Sequence, residues 1–198
     1  MVNIIDSTGT SFGAKVDKNN RLHTRAVTET ADSQSTINGD GFNISTGLIT
    51  LSTAGTDNAL LYIKNNETPD LRISGIIVGV GTGTYAGQVI VKTKRNPSAG
   101  AIVTSNNTVD IIAARNHGSA TVLTDSVILK GADTDTFTDG TASGIFFVSN
   151  TADRKSIPIN LVLPKGSSLG VTVDPNLSSG SASFYVAVVA HLAIVETV

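Results

Sequence analysis

Every apolar run in this chain is short, rich in Val, Ile and Thr, and closed by Gly, Asn, Pro or Asp. No stretch repeats its apolar residues at helical spacing for long enough to specify a helix, whereas period-2 alternation recurs. A nearly pure β protein is expected. Strands are expected near 47–52, 58–64, 70–80, 87–94, 100–104, 108–114, 121–130, 144–149, 156–163, 168–173 and 182–195. The cleanest is 157–163, where Ile157, Ile159, Leu161 and Leu163 share one face and Pro158 and Asn160 the other. Proline donates nothing to a ladder, so Pro158 marks an edge strand. The run 184–195 is apolar on both faces, as suits a central strand or one covered by a neighbouring subunit.

Many short strands closed by Gly/Asn turns fit a sandwich or a barrel. An immunoglobulin-type domain has about 100 residues and a Cys–Trp–Cys core. This chain has 198 residues and neither Cys nor Trp. A jelly-roll-like antiparallel β-sandwich suits the length better. No fixed-period repeat or heptad stands out, which argues against a propeller, a β-helix or a long fibre.

Residues 1–41 differ from the rest. They are polar, with isolated apolar residues such as Ile4, Phe12, Leu22 and Val27, too few to build a core. The expected organisation is an extended N-terminal arm over 1–41, ended by the turn signal Asn38-Gly39-Asp40-Gly41, and a β-sandwich domain over 42–198. The opening residues MVNIIDSTGTSFG lack a basic region and a long apolar core, so no export signal is expected. No apolar stretch is long enough for a membrane-spanning helix. The absence of disulfides favours a reducing cytoplasm.

Machinery for chemistry is sparse. Without Cys there are no thiolate metal sites and no thiol nucleophiles. His23, His117 and His191 lack metal-ligand spacing, so no metal or cofactor is assigned. Gly166-Ser167-Ser168-Leu169-Gly170 satisfies G-x-S-x-G, with Asp174 and His191 following. A nucleophile elbow needs a strand-to-helix turn, and here Val171-Thr172-Val173 continues as a strand. Gly79–Gly87 resembles a phosphate loop only superficially, because a strand follows it. The loop 132–140, with Asp133, Asp135 and Asp139, offers oxygen ligands without the EF-hand pattern. Lys and Arg are scattered around a net charge of −2, so nucleic acid is not an expected partner. Tyr62, Tyr85 and Tyr185 alone could form a sugar-stacking platform. The composition favours binding or assembly over catalysis.

The polar arm carrying Val16-Asp17-Lys18-Asn19-Asn20-Arg21-Leu22-His23-Thr24-Arg25-Ala26-Val27-Thr28, joined to a β body, resembles virion structural proteins of tailed bacteriophages. Leu61-Tyr62-Ile63-Lys64-Asn65-Asn66 and Leu163-Pro164-Lys165-Gly166-Ser167-Ser168-Leu169-Gly170 add to the similarity. The resemblance implies a non-enzymatic jelly-roll protein of the virion, assembled in the host bacterial cytoplasm. Its nearest type is a capsid cement (decoration) protein, often trimeric, whose partner is the major capsid protein or another virion protein. A receptor- or glycan-binding domain of a tail or head fibre is the alternative. In the cement reading the arm orders as it binds, Leu22 and Val27 burying apolar surface while Arg21 and Arg25 pair with acidic groups on the partner.

Overall fold

The computed structural model describes residues 31–151 and 153–193. Residues 1–30 lie outside that range, and everything below concerns the unit that begins at Ala31. It opens with a helix, α1 (Ala31–Asn38), followed by β1 (Gly41–Ser45), β2 (Ile49–Ser52), β3 (Asn58–Lys64), β4 (Leu71–Val80), the short β5 (Thr84–Tyr85) and β6 (Val89–Arg95). A long connection then carries a 3-10 turn (Ile102–Thr104), β7 (Ile111–Ala114) and β8 (Val127–Lys130). The remaining strands are β9 (Thr141–Val148), β10 (Asp153–Leu163), β11 (Ser168–Asp174), the short β12 (Leu177–Ser179) and β13 (Ser181–Leu192).

One sheet has the order β10-β4-β13-β1-β7, with β2 also on β13; the other runs β8-β3-β11-β6-β9. β1 and β2 act as one interrupted strand along β13. At the break, buried Thr46 keeps the ladder intact: its N–H donates to the Val186 carbonyl (2.9 Å) and its Oγ1 accepts from the Val186 N–H (3.0 Å). With β1/β2 taken as one strand, the first core strand pairs with the last (β1 with β13) and the second with the second-last (β3 with β11). The third pairs with the third-last (β4 with β10), and the middle two, β6 and β9, pair with each other. Such nested antiparallel pairing is a hairpin rolled over itself, which is the jelly roll.

The alternation explains the core. Ile63, Val91 and Val171 from the five-stranded sheet meet Ile76, Val186 and Val188 from the six-stranded one in a single apolar cluster. Each such side chain contributes about 1.5–3 kcal/mol by leaving water. On β10, Ile157 and Leu163 are buried, Ile159 and Leu161 pack against the cluster, and Pro158 and Asn160 are exposed. The strand lies at the sheet edge, as Pro158 requires, and is bulged between Pro158 and Leu161. β13 lies inside its sheet, bonded to β4 on one side and to β1 and β2 on the other.

The connection 96–140 sets the two outer faces apart. It adds β7 beyond β1 on one sheet and β8 beyond β3 on the other. It also lays Ile102 and Phe137 over Ala59, Tyr62 and Leu129 as a second apolar cluster. β3 and β11 are therefore buried at every position but their last. The fit depends on Gly170, where a Cβ would stand 2.6 Å from Phe137 Cε2. On the six-stranded sheet the same connection contributes β7, whose Ile111 and Ala113 line a groove on the outer face.

The local departures from the sequence reading have physical causes. Within 100–104 the chain makes the 3-10 turn Ile102–Thr104 instead of a strand, because Gly100 adopts φ +129 where the chain bridges to Phe137. In 121–130 only Val127–Lys130 is a strand, because the Asp125 and Ser126 N–H groups donate to Glu67 Oε1 (2.9 and 3.1 Å) instead of joining a ladder. Helix α1 and Gly41, the first residue of β1, precede Phe42, where the sequence reading starts the body. The helix has no apolar stripe to announce it, and its Ile37 is exposed. No described helix is long and apolar enough to cross a membrane.

Candidate interaction surface

The strand phase that buries Phe184, Val186 and Val188 sends Tyr185, Ala187 and Val189 to the outside of the six-stranded sheet. There they stay half-buried beside Ile77 of β4 and exposed Ile111 of β7. Tyr185 lies across Gly79, where a Cβ would meet its ring at 1.8 Å. Beside it a groove of about 360 Å³ runs along β13, β1 and β7, lined by Ile77, Ile111, Ala187 and Val189 together with the polar Asn43 and Ser45. Its far rim carries Arg154, exposed on β10 and opposite Gly79 in the ladder. Cross-strand rows run Arg154–Gly79–Tyr185 and Ser156–Ile77–Ala187.

The five-stranded sheet exposes apolar side chains at its β6–β9 end. Phe147 is 63% exposed and Ile145 is 56% exposed, both on the outer face because Phe146 and Val148 turn inward. Ladder pairing sets Phe147 beside Ile90, and Ile90 beside Asp174. Together they form an exposed apolar patch next to a carboxylate. The sequence signal for it is the double-sided apolar run Ile145–Val148, which buries only one of its two faces.

The candidates for chemistry do not assemble. Ser168 begins β11 with strand on its C-terminal side; its Oγ donates to the Pro97 carbonyl (2.7 Å) and its N–H to Asn96 Oδ1 (3.1 Å). Asp174 closes the same strand, about 20 Å away at a strand rise of about 3.3 Å per residue. His191 is buried on β13 in the other sheet. These three positions cannot form a triad. His117 lies in a turn. The Gly79–Gly87 segment links β4 to β6 through β5, folded on itself by the Tyr85 hydroxyl donating to the Gly81 carbonyl (2.6 Å).

The three carboxylates of loop 132–140 serve as separate stitches. Asp133 accepts from the Ser52 N–H (3.1 Å) and hydroxyl (2.6 Å), and Asp135 from the Ala132 N–H (2.8 Å). Asp139 accepts from the Ser98 hydroxyl (2.5 Å) and from the Ser98 and Ala99 N–H groups (2.9 Å each). Those bonds, the Ser98 hydroxyl first, hold its carboxyl below the ordinary range. Among the described residues no group of three His, Asp or Glu could hold a metal ion.

The tyrosines are dispersed. Tyr62 is buried under Phe137 at a ring separation of 6.1 Å, and Tyr85 stands edge-on to Phe184 at 6.5 Å. Burial pushes both phenols above their usual value. Only Tyr185 belongs to the groove.

The two segments singled out by resemblance meet in space. Buried Asn65 sits where 61–66 abuts 163–170, donating from Nδ2 to the Leu163 (2.8 Å) and Pro69 (3.1 Å) carbonyls. Its backbone exchanges bonds with the turn, its N–H donating to the Ser167 carbonyl (3.0 Å) and its carbonyl accepting from the Gly166 N–H (2.6 Å). Both segments are thus parts of one structural joint. Arg21, Leu22, Arg25 and Val27, the residues assigned to partner binding, lie outside the described residues. Compared with known proteins, the chain matches no family model and no curated protein.

Proposed function

We propose that the chain is a non-enzymatic structural protein of a bacteriophage virion, a capsid cement protein that binds and stabilises the lattice of the major capsid protein. The observation that carries this reading is the asymmetry of the sandwich. Among the described residues, one sheet is roofed by the chain's own connection, while the other presents a grooved face on which Ile77, Tyr185, Ala187 and Val189 are half-buried and Ile111 is exposed. A contiguous apolar surface of this kind marks an interaction site. The dispersal of Ser168, Asp174 and His191 and the tying-up of the loop carboxylates fit a surface made for contact. In this reading the part of the arm before Ala31 reaches neighbouring subunits, with Leu22 and Val27 burying apolar area and Arg21 and Arg25 meeting acidic groups. The dispersal of the tyrosines favours the cement reading over the glycan-binding alternative, which would draw on a shared stacking platform.

Co-sedimentation with purified empty capsid shells tests it. The full chain should pellet with shells and raise their temperature of disruption; a variant lacking residues 1–30, or carrying Arg21→Ala and Arg25→Ala, should bind at least about tenfold more weakly. A full chain that stays in the supernatant at every shell concentration would sink the cement reading.

A further inference from the structure

We propose that β9 is a dimerisation edge: two copies of this chain pair their β9 strands antiparallel about a two-fold axis, joining their five-stranded sheets into one. The inference goes beyond the capsid-binding reading and stands without it. A sheet edge offers a row of N–H and C=O groups to any further strand, and proteins blunt such edges with charge, proline, bulges, short length or cover. Every other edge of the two large sheets is blunted. β10 carries exposed Asp153, Arg154 and Lys155, then Pro158 and a bulge. β2, β7 and β8 are four residues long. Asp133 takes the Ser52 N–H of β2 (3.1 Å), Asp110 and Arg115 flank β7, and Asn107 and Thr108 already bond to β8. β9 has none of these devices. It runs for eight residues, contains no proline, and pairs with β6 alone among the described residues. No residue over 140–151 is charged.

The strand selects a copy of itself. With Phe146 on the two-fold axis, Ile145 of each copy lies opposite Phe147 of the other. Both side chains are more than half exposed in the single chain, and half-buried Ile90 stands beside Phe147 in the ladder. The row Ile90–Phe147 then continues into the second copy's Ile145, and the symmetric row does the same in reverse. Directly opposed aromatic and β-branched side chains are the pairs that stabilise an antiparallel ladder. An uncharged edge gives no steering toward an acidic or basic partner, whereas its own copy matches it in length and side-chain order. Pairing over 144–148 adds about four to six backbone hydrogen bonds and takes four large apolar side chains out of water. Such an interface lies at the small end for specific complexes, under about 1,200 Å², so the dimer should dissociate on dilution. The contact uses the same patch on both copies and closes at two, in place of the trimer that the phage resemblance implies.

Sedimentation velocity of the full chain should show a monomer–dimer equilibrium. Ile145→Lys and Phe147→Glu, both at exposed positions, should each weaken association at least about tenfold. An equimolar mixture of the two variants should recover it, because the register sets the new lysine of one copy against the new glutamate of the other and leaves the second row native. Amides of 144–148 should exchange more slowly in the native dimer than in the Ile145→Lys monomer. Melting followed by circular dichroism shows that both variants fold. A native chain that stays monomeric at its highest soluble concentration, a trimer, a dimer untouched by Ile145→Lys, or a mixture no tighter than either variant alone would overturn the proposal.

Discussion

Single polar side chains fix the loops of this molecule where apolar burial cannot. Asn58 and Asn65 bracket β3, both fully buried, and each spends its amide on backbone groups of other segments. Such satisfied amides are tolerated in a core, and an unsatisfied one would cost about 1–3 kcal/mol. Asp139 does the same work at the surface by gathering Ser98 and Ala99 onto one carboxylate. Its folded value lies below the ordinary one, so its contribution is complete above the ordinary carboxylate value of about 3.8 and fades as pH falls through the lowered folded value. Replacing it by Asn should therefore lower the urea midpoint at neutral pH, with the gap to the native protein narrowing below about pH 4. A gap that stays constant or widens with acid would show that the carboxylate does not hold this loop.

At the scale of elements, the connection 96–140 is a lid whose apolar contact is concentrated in Phe137. That ring packs on Tyr62, closes over Gly170 and lies 6.0 Å below the Lys94 ammonium. Phe137→Ala should cost about 3–4 kcal/mol, the range for removing a buried aromatic ring, measured as a shift in denaturant midpoint. Because β3 and β11 lie beneath it, amides of Leu61 and Val171 should exchange faster in the variant. Unchanged stability would mean that the lid is held by its carboxylate stitches alone. The lid also explains why two strands of one sheet are buried almost throughout while β13, equally central, keeps a half-exposed face.

The whole molecule is governed by the nesting of its strands. β1 must find β13, and β3 must find β11, before most of the core can form. Contacts this distant in sequence make folding slow, and refolding after stopped-flow dilution should fall in the range of milliseconds to seconds. Microsecond refolding would be inconsistent with this topology as the barrier. The same nesting places exposed Phe147 on one outer face and the groove beside Tyr185 on the other.

The sequence by itself determined the class of fold. Period-2 alternation in 157–163, the proline that puts β10 at an edge, the apolar run of β3 and the β-branched runs of β4, β6, β11 and β13 are local signals, because side-chain direction in a strand follows from position alone. Elements without such a pattern stayed hidden: α1 has no apolar stripe, and the strand over 121–130 is shortened by a carboxylate from 58 residues earlier in the chain. The candidate surface was legible only in part. Both-sided apolarity flagged the strand that carries Tyr185 and Val189, but Phe147, Arg154 and Asp174 have no pattern linking them. Tertiary structure alone decided which apolar face the lid covers and which it leaves bare, because that depends on where a long connection crosses, and no local pairing energy records it.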